Sequence, residues 1–316
     1  MGNRDQTAHD DDEALAIVSP PRVDATIAGF RGAPGPTDCS TERPAHARRG
    51  MPVPVAPPET RLQPVRLPSP SRAKGRLVQL RELARDIVEV TIALNEPMRI
   101  LPGQYCSFSF AGLPHRPFSP TASLGAIRED SYIRLHVKRV RGGGVTPRLG
   151  TTIKVGHPVE IVGPYGRAFL RPASHRRLVM IGSGTGFAPI WAIAASALRE
   201  TPSRPMILVG AARTLDSFYM ASALELARGY PSVSILAVVD EIAAPWHGFV
   251  PGPPVAHLPK LSSDDIVYAA GEHALVGAVG KAAAIAGATF HADPLEPAPQ
   301  SHESWMTSAR RWLRAG

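Results

Sequence analysis

The chain has 316 residues, 44% of them apolar and 20% charged, enough for two domains with cores of their own. Its formal charge of +8 is uneven: residues 1–39 carry a net −4, residues 40–76 a net +6 and the other 240 a further +6. The basic balance thus owes much to one proline-rich stretch, which argues against nucleic-acid binding by the whole chain, and two cysteines, Cys39 and Cys106, are too few for a disulfide framework, a four-thiolate zinc site or a plant-type [2Fe–2S] cluster.

Residues 1–72 read as a disordered tail rich in proline and arginine. Twelve of the 33 prolines fall in the first 70 residues, and no large apolar residues recur there with a period that would offset the cost of ordering the backbone. A binding arm is the alternative. The opening Met-Gly-Asn-Arg lacks the apolar core of a signal peptide, and Gln6 stands where a myristoylation signal wants Ser or Thr, so the cytoplasm is the expected setting.

From Gly75 the character changes. Leu77–Leu80 and Ile87–Ile92 predict a hairpin, followed by alternating runs at Gln104–Phe110, Tyr132–Lys138 and Pro158–Val162. Short strands with Gly/Pro turns predict an antiparallel β-barrel over residues 73–173. Residues 174–298 predict an α/β domain, with strands at Leu178–Ile181, Met206–Gly210, Val233–Val239 and Ile266–Ala270 alternating with helices. The fold class is therefore β + α/β, a barrel followed by a parallel sheet. The 21 uncharged residues from Leu178 to Leu198 are long enough to span a bilayer. Gly182, Gly184, Gly186 and Pro189 punctuate them as strand, turn and helix instead, so no transmembrane segment is expected. Residues 299–316 place Trp305, Ala309, Trp312 and Leu313 at helical spacing, an amphipathic helix that docks on the protein or meets a membrane or partner.

Four stretches carry chemistry. In Arg116-Pro117-Phe118-Ser119 an arginine can grip a pyrophosphate, an aromatic can cover a flat ring and a hydroxyl can bond a ring nitrogen. Taken alone, the stretch is equally a proline-bent edge strand. Arg141 to Thr146, with three successive glycines, is either an anion-binding turn or a loose hairpin tip. Gly163-Pro-Tyr-Gly166 closes the barrel and is the most readily structural of the four. Gly182-Ser-Gly-Thr-Gly-Phe-Ala-Pro189 departs from the G-x-G-x-x-G fingerprint, but it lets backbone approach a ligand and opens a helix whose N-terminus favours a phosphate. A plain tight turn is its alternative.

In order and spacing, Arg116–Ser119, the glycine turn, Gly163–Gly166, Gly184–Pro189, Gly210-Ala-Ala-Arg-Thr214 and His291-Ala-Asp-Pro-Leu295 resemble the ferredoxin–NAD(P) reductase superfamily. The chain is most similar to the flavin reductase components of multicomponent oxygenases. The resemblance implies FAD, with FMN as the alternative, and NAD(P)H. Arg116 would hold the flavin pyrophosphate with Gly143, Gly144, Val145 and Thr146. Phe118 would stack on the ring and Ser119, the catalytic candidate, would bond it where hydride arrives. Gly184, Thr185, Gly186 and Pro189 would face the nicotinamide. The implied cofactor-binding set also takes in Pro117, His136, Lys138, Arg213, Asp240 and Gly271. Three positions depart from the family: Phe118 replaces a frequent Tyr, Ala270 and Glu272 replace the Cys and Pro of a Cys-Gly-Pro, and Leu295 replaces a terminal aromatic.

Asp240, after Val238-Val239, would accept a ribose hydroxyl and repel a 2′-phosphate, so NADH is expected over NADPH, with Arg213 one strand away as the opposing feature. Lacking a cluster of its own, the chain is expected to pass electrons to a separate ferredoxin or oxygenase. Its net positive charge, Arg176 and Arg177 included, would steer that encounter. The alternatives are a reductase of small acceptors such as flavin, quinone or ferric chelate, and a catalytically weak flavin-binding subunit.

Overall fold

The computed structural model describes residues 67–122, 131–171 and 175–293. The tail before Leu67, Leu295 and the C-terminal helix expected at 299–316 lie outside these residues.

Six strands build the first layer: β1 (Ser71–Ala84), β2 (Ile87–Leu94), β3 (Tyr105–Phe110), β4 (Arg116–Phe118), β5 (Tyr132–Lys138) and β6 (Pro158–Tyr165). They pair antiparallel in the order β4-β3-β6-β1-β2-β5. A bridge from Pro120 to Leu135 joins the two ends of this order and closes the sheet into a barrel. Inside, alternate residues meet: Ile133, Leu135 and Val137 of β5 pack with Leu77, Val88, Val90, Phe108 and Phe110. Each such side chain contributes roughly 1.5–3 kcal/mol relative to exposure.

β1 begins at Ser71, inside the stretch read from sequence as tail. The difference lies in the pairing. Ser71 to Arg76 run along β6 from Gly163 to Pro158, so a segment with little apolar content is held by a backbone ladder.

The second layer is a parallel sheet of β7 (Leu178–Ser183), β8 (Met206–Ala212), β9 (Val233–Val239), β10 (Phe249–Pro251), β11 (Ile266–Ala270) and β12 (Thr289–His291), in the order β10-β9-β8-β7-β11-β12. Helices α1 (Phe187–Glu200), α2 (Ala221–Arg228) and α3 (His273–Ala286) connect it. α2 is short, and a 3-10 turn at Leu215–Ser217 precedes it. α3 stops at Gly287, whose φ of +68° is left-handed.

α1 is buried on every side from Phe187 to Leu198. It packs on the second sheet, and Ile193 also closes on Gly103 of the barrel, where a Cβ would stand 2.8 Å from Ile193 Cδ1. That burial explains an uncharged run which needs no lipid. Among the described residues no helix is long and apolar enough to cross a membrane.

Candidate functional site

The second sheet reverses its order at β7. β8, β9 and β10 follow to one side, β11 and β12 to the other. At such a switch point the turns after two adjacent strands diverge and leave a crevice at their carboxyl ends. Here the turns are Gly184–Pro189 and Ala270–Glu272. Missing side chains let them touch. A Cβ on Gly186 would stand 2.5 Å from Gly271 N, and one on Gly271 (φ +138°) would overlap Ser183 Oγ. Ser183 Oγ in turn accepts the Glu272 N–H at 3.4 Å. Gly184 has φ +51°, and the 3-10 turn Gly184–Gly186, which holds Thr185, runs straight into α1. No side chain caps α1; the Phe187 N–H is taken by the Gly184 and Thr185 carbonyls, and Pro189 in its first turn has no N–H to lose.

The barrel brings its own candidates to one strand. Arg116, Pro117 and Phe118 form β4 opposite Phe108, Ser107 and Cys106. The Arg116 guanidinium donates to the carbonyl of its neighbour His115 at 2.9 Å. Phe118 rests on Phe108 and Phe110, with ring centroids 6.0 and 6.3 Å away. Ser119 lies between β4 and the Pro120–Leu135 bridge to β5. Just beyond, Thr121 Oγ1 is buried without a hydrogen-bond partner among the described residues. Leaving such a hydroxyl unmet costs about 1–3 kcal/mol.

β5 then leads into the glycine turn. At its base Arg139 forms a bidentate pair with Glu82 and donates to the Leu149 carbonyl at 3.1 Å. Gly143 N–H donates to the Val140 carbonyl at 2.9 Å, and the Thr146 hydroxyl accepts the Val140 N–H at 3.1 Å. Val145 anchors the turn in the barrel core. The N–H groups of Gly144 and Val145 take no part in these bonds and form successive donors for an anion. Lys138, at the end of β5, is exposed.

His136 is already engaged. Its Nδ1 lies 3.3 Å from Tyr219 Oη on the nucleotide domain, and its Nε2 lies 3.5 Å from Glu89 Oε2 on β2. Glu89 also accepts from Arg81, and the His136 bond, with these charges, lowers its pKa. β5 further lies against the 3-10 turn Gly184–Gly186. One strand therefore adjoins the Arg116–Thr121 segment, the glycine turn and the switch-point turn. Arg213 and Asp240 stand apart, exposed at the carboxyl ends of β8 and β9, where Arg213 pairs with Glu241. Among the described residues no group of three or more His, Cys, Asp or Glu could hold a metal. Cys106, buried with its pKa pushed up to about 12, is a neutral core thiol.

Two family models match this chain. Residues 74–169 match the oxidoreductase FAD-binding domain and residues 180–281 the oxidoreductase NAD-binding domain. Together they take in more than half of the chain. The chain belongs to the ferredoxin–NAD(P) reductase superfamily. Relatives within it include the ferredoxin–NAD(P)+ reductase component of the naphthalene 1,2-dioxygenase system of Pseudomonas putida, 29% identical over 52% of this chain and 50% of that protein. The reductase subunit of an aromatic O-demethylase from an Amycolatopsis species is 30% identical over 56% of this chain and 60% of its own. The chain thus spans about half the length of the curated relatives it matches. The solved ferredoxin reductase of carbazole 1,9a-dioxygenase superposes with a TM-score of 0.65 at 26% identity, covering 73% of this chain and 71% of that one.

The donor set fits both cofactors of this superfamily: a guanidinium, an orphaned hydroxyl and a glycine turn on the barrel, and the glycine-rich turn Gly184–Gly186 that enters α1 at the switch point. Sequence reasoning missed the residues that hold the two layers together. Tyr219 and Glu89 carried no motif. Asp293 stood inside the terminal motif without a role, yet its carboxylate accepts the N–H groups of Arg167 and Ala168 at 2.8 and 3.1 Å.

Proposed function

We propose that this chain is a flavin-dependent reductase that takes hydride from NADH and passes electrons singly to a separate protein, a ferredoxin or an oxygenase. The observation that carries the reading is β5, which touches both the barrel's candidate segment beside Pro120 and the nucleotide domain's turn Gly184–Gly186. Hydride transfer needs two bound groups in contact, and this strand is where the two domains' sites converge.

Bound flavin supplies the conversion of a two-electron donor into single electrons. The chain's part is placement. Arg116 and, in the Gly143–Thr146 turn, the N–H groups of Gly144 and Val145 hold a pyrophosphate from two sides, which favours FAD over FMN. Phe118, held at an angle against Phe108 and Phe110, offers its remaining surface to the ring, and Ser119 donates to the ring edge. Pro117 stiffens β4 between them, and Lys138 adds positive charge at the end of β5. Gly184 to Pro189 and Gly271 receive the nicotinamide end of NADH, and Asp240 accepts a ribose hydroxyl. His136 serves by holding β5 to the nucleotide domain. The flavin-binding barrel opens at Ser71, two residues before its expected start, and the division from the nucleotide domain falls between residues 173 and 174. The working compartment is the cytoplasm, where nicotinamide nucleotides supply the hydride.

A spectrum of the purified protein tests this. The expected result is a flavin band that bleaches with NADH, FAD in the heat extract, and cytochrome c reduction stimulated by a [2Fe–2S] ferredoxin. A colourless protein that gains no absorbance with FAD or FMN overturns the reading. Full activity toward free flavin or quinone, with no ferredoxin effect, replaces the protein acceptor with a small one.

A further inference from the structure

Arg213 is the residue at the nucleotide rim best suited to a 2′-phosphate, since a guanidinium matches phosphate with paired donors. It follows β8, next to the strand of the switch-point turn. In this chain that guanidinium is already taken. Glu241 places Oε1 on Arg213 Nε, and the backbone fixes the two residues side by side: Glu241 N–H donates to the Arg213 carbonyl at 2.9 Å and Asp240 N–H to the Ala212 carbonyl at 3.1 Å. The ladder that aligns β8 with β9 thus continues one step past both strands and sets the pair opposite each other. Asp240 and Glu272 also act on Arg213 through space, so one cation faces three carboxylates.

We propose that Glu241 is a specificity-determining residue that excludes NADPH by occupying Arg213. The inference rests on the NADH reading above and deepens it. Asp240 rewards the ribose hydroxyl, whereas Glu241 takes up the guanidinium that Arg213 would offer a 2′-phosphate. NADPH must displace a carboxylate from the guanidinium and enter a rim with net negative charge. NADH carries no charge at that position and disturbs neither.

As an exposed pair, Arg213 and Glu241 contribute little to folding, so their variants fold. Kd values for NAD+ and NADP+ are measured by calorimetry on the flavin-loaded protein. The variants are Glu241→Gln, Arg213→Gln, the double variant, and Asp240→Ser. Glu241→Gln is expected to tighten NADP+ about tenfold while NAD+ stays within twofold, and the double variant is expected to lose that gain. With NADPH as substrate, the change should appear in KM and leave kcat in place. An unchanged NADP+ Kd in Glu241→Gln, or a gain that persists without Arg213, overturns the inference. If Asp240→Ser then admits NADP+ by itself, the preference for NADH stands and lies wholly in Asp240. A wild-type protein that binds NAD+ and NADP+ equally, or neither, overturns the NADH reading itself and the inference with it.

Discussion

Gly166 and Asp293 interlock. Gly166 sits at φ +97° at the end of the barrel, and a Cβ added there would overlap Asp293 Oδ2, from the far end of the second sheet. The same carboxylate accepts the next two N–H groups, those of Arg167 and Ala168. A residue 126 positions beyond Arg167 thus closes the turn that ends the barrel. Burial raises the pKa of Asp293 even against these bonds, so the group costs desolvation that the two N–H groups and the glycine offset.

Asp293→Ala should therefore lower stability by roughly 2–4 kcal/mol, since two N–H groups lose their acceptor. Gly166→Ala should act in the same direction through strain and overlap. Urea unfolding reads both. Loss of flavin ahead of global unfolding would show that the latch also holds the barrel's ligand side.

His291 gives a pH dependence of defined sign. Burial, then the nearby Arg171 and Arg176, pushes its pKa down to about 4. In the unfolded chain it titrates near its ordinary 6.5, so between these values the unfolded state binds the extra proton. Stability from this group is full above pH 6.5 and is lost as the pH falls toward 4. Asp293 works in the opposite sense, because its raised pKa favours the folded state at low pH. Thermal melts from pH 7.5 to 4.5 should fall less steeply for His291→Gln than for the wild type. Parallel profiles would remove His291 from the account.

Tyr219→Phe deletes one interdomain hydrogen bond, from a hydroxyl 3.3 Å from His136 Nδ1. The stability cost should be about 0.5–1.5 kcal/mol, the net worth of such a bond. The flavin should remain bound, because its proposed holders on β4 and the glycine turn are untouched. Flavin reduction by NADH in stopped flow should slow severalfold if His136 and Tyr219 set the approach of β5 to the nucleotide domain. An unchanged rate would make the pair an ordinary contact.

The strands with strict alternation or continuous apolar runs were legible in the sequence. Tyr132–Lys138, Val233–Val239 and Ile266–Ala270 appear with the bounds expected of them, because each repeats one environment along its length. Phe249–Pro251 and Thr289–His291 were not, since three residues carry no period and pairing with a neighbour defines them. The glycine turns were legible as turns, but their mutual packing was not. That Gly186 abuts Gly271 depends on two strands brought side by side by the sheet order, 85 residues apart in the chain. The ion pair of Arg213 with Glu241 is of the same kind, as Asp240 was read from its strand end while its neighbour's partner lay across a strand.

Arg177 was read as a steering charge, and its surroundings give it another task. Its Nε and Nη2 form a bidentate pair with Asp265 at 2.8 and 2.7 Å, and Asp265 is 2% exposed. Arg177 precedes β7 and Asp265 precedes β11, so the pair lies at the amino edge of the sheet, away from the switch-point crevice. Arg176 is likewise occupied, by the carbonyls of Ser263, Asp264 and Asp265. Arg177→Gln should therefore cost about 2–4 kcal/mol by leaving a buried carboxylate poorly compensated. The salt dependence of ferredoxin-stimulated cytochrome c reduction should stay as in the wild type. The sign with pH follows from Asp265, whose pKa is lowered chiefly by its bonds to Arg177. The pair's stabilisation is full above the ordinary 3.8 and lost as the pH falls through the lower folded value, so the variant and wild type should converge in stability under acid. A variant as stable as the wild type, with acceptor reduction less sensitive to salt, would return Arg177 to the docking surface.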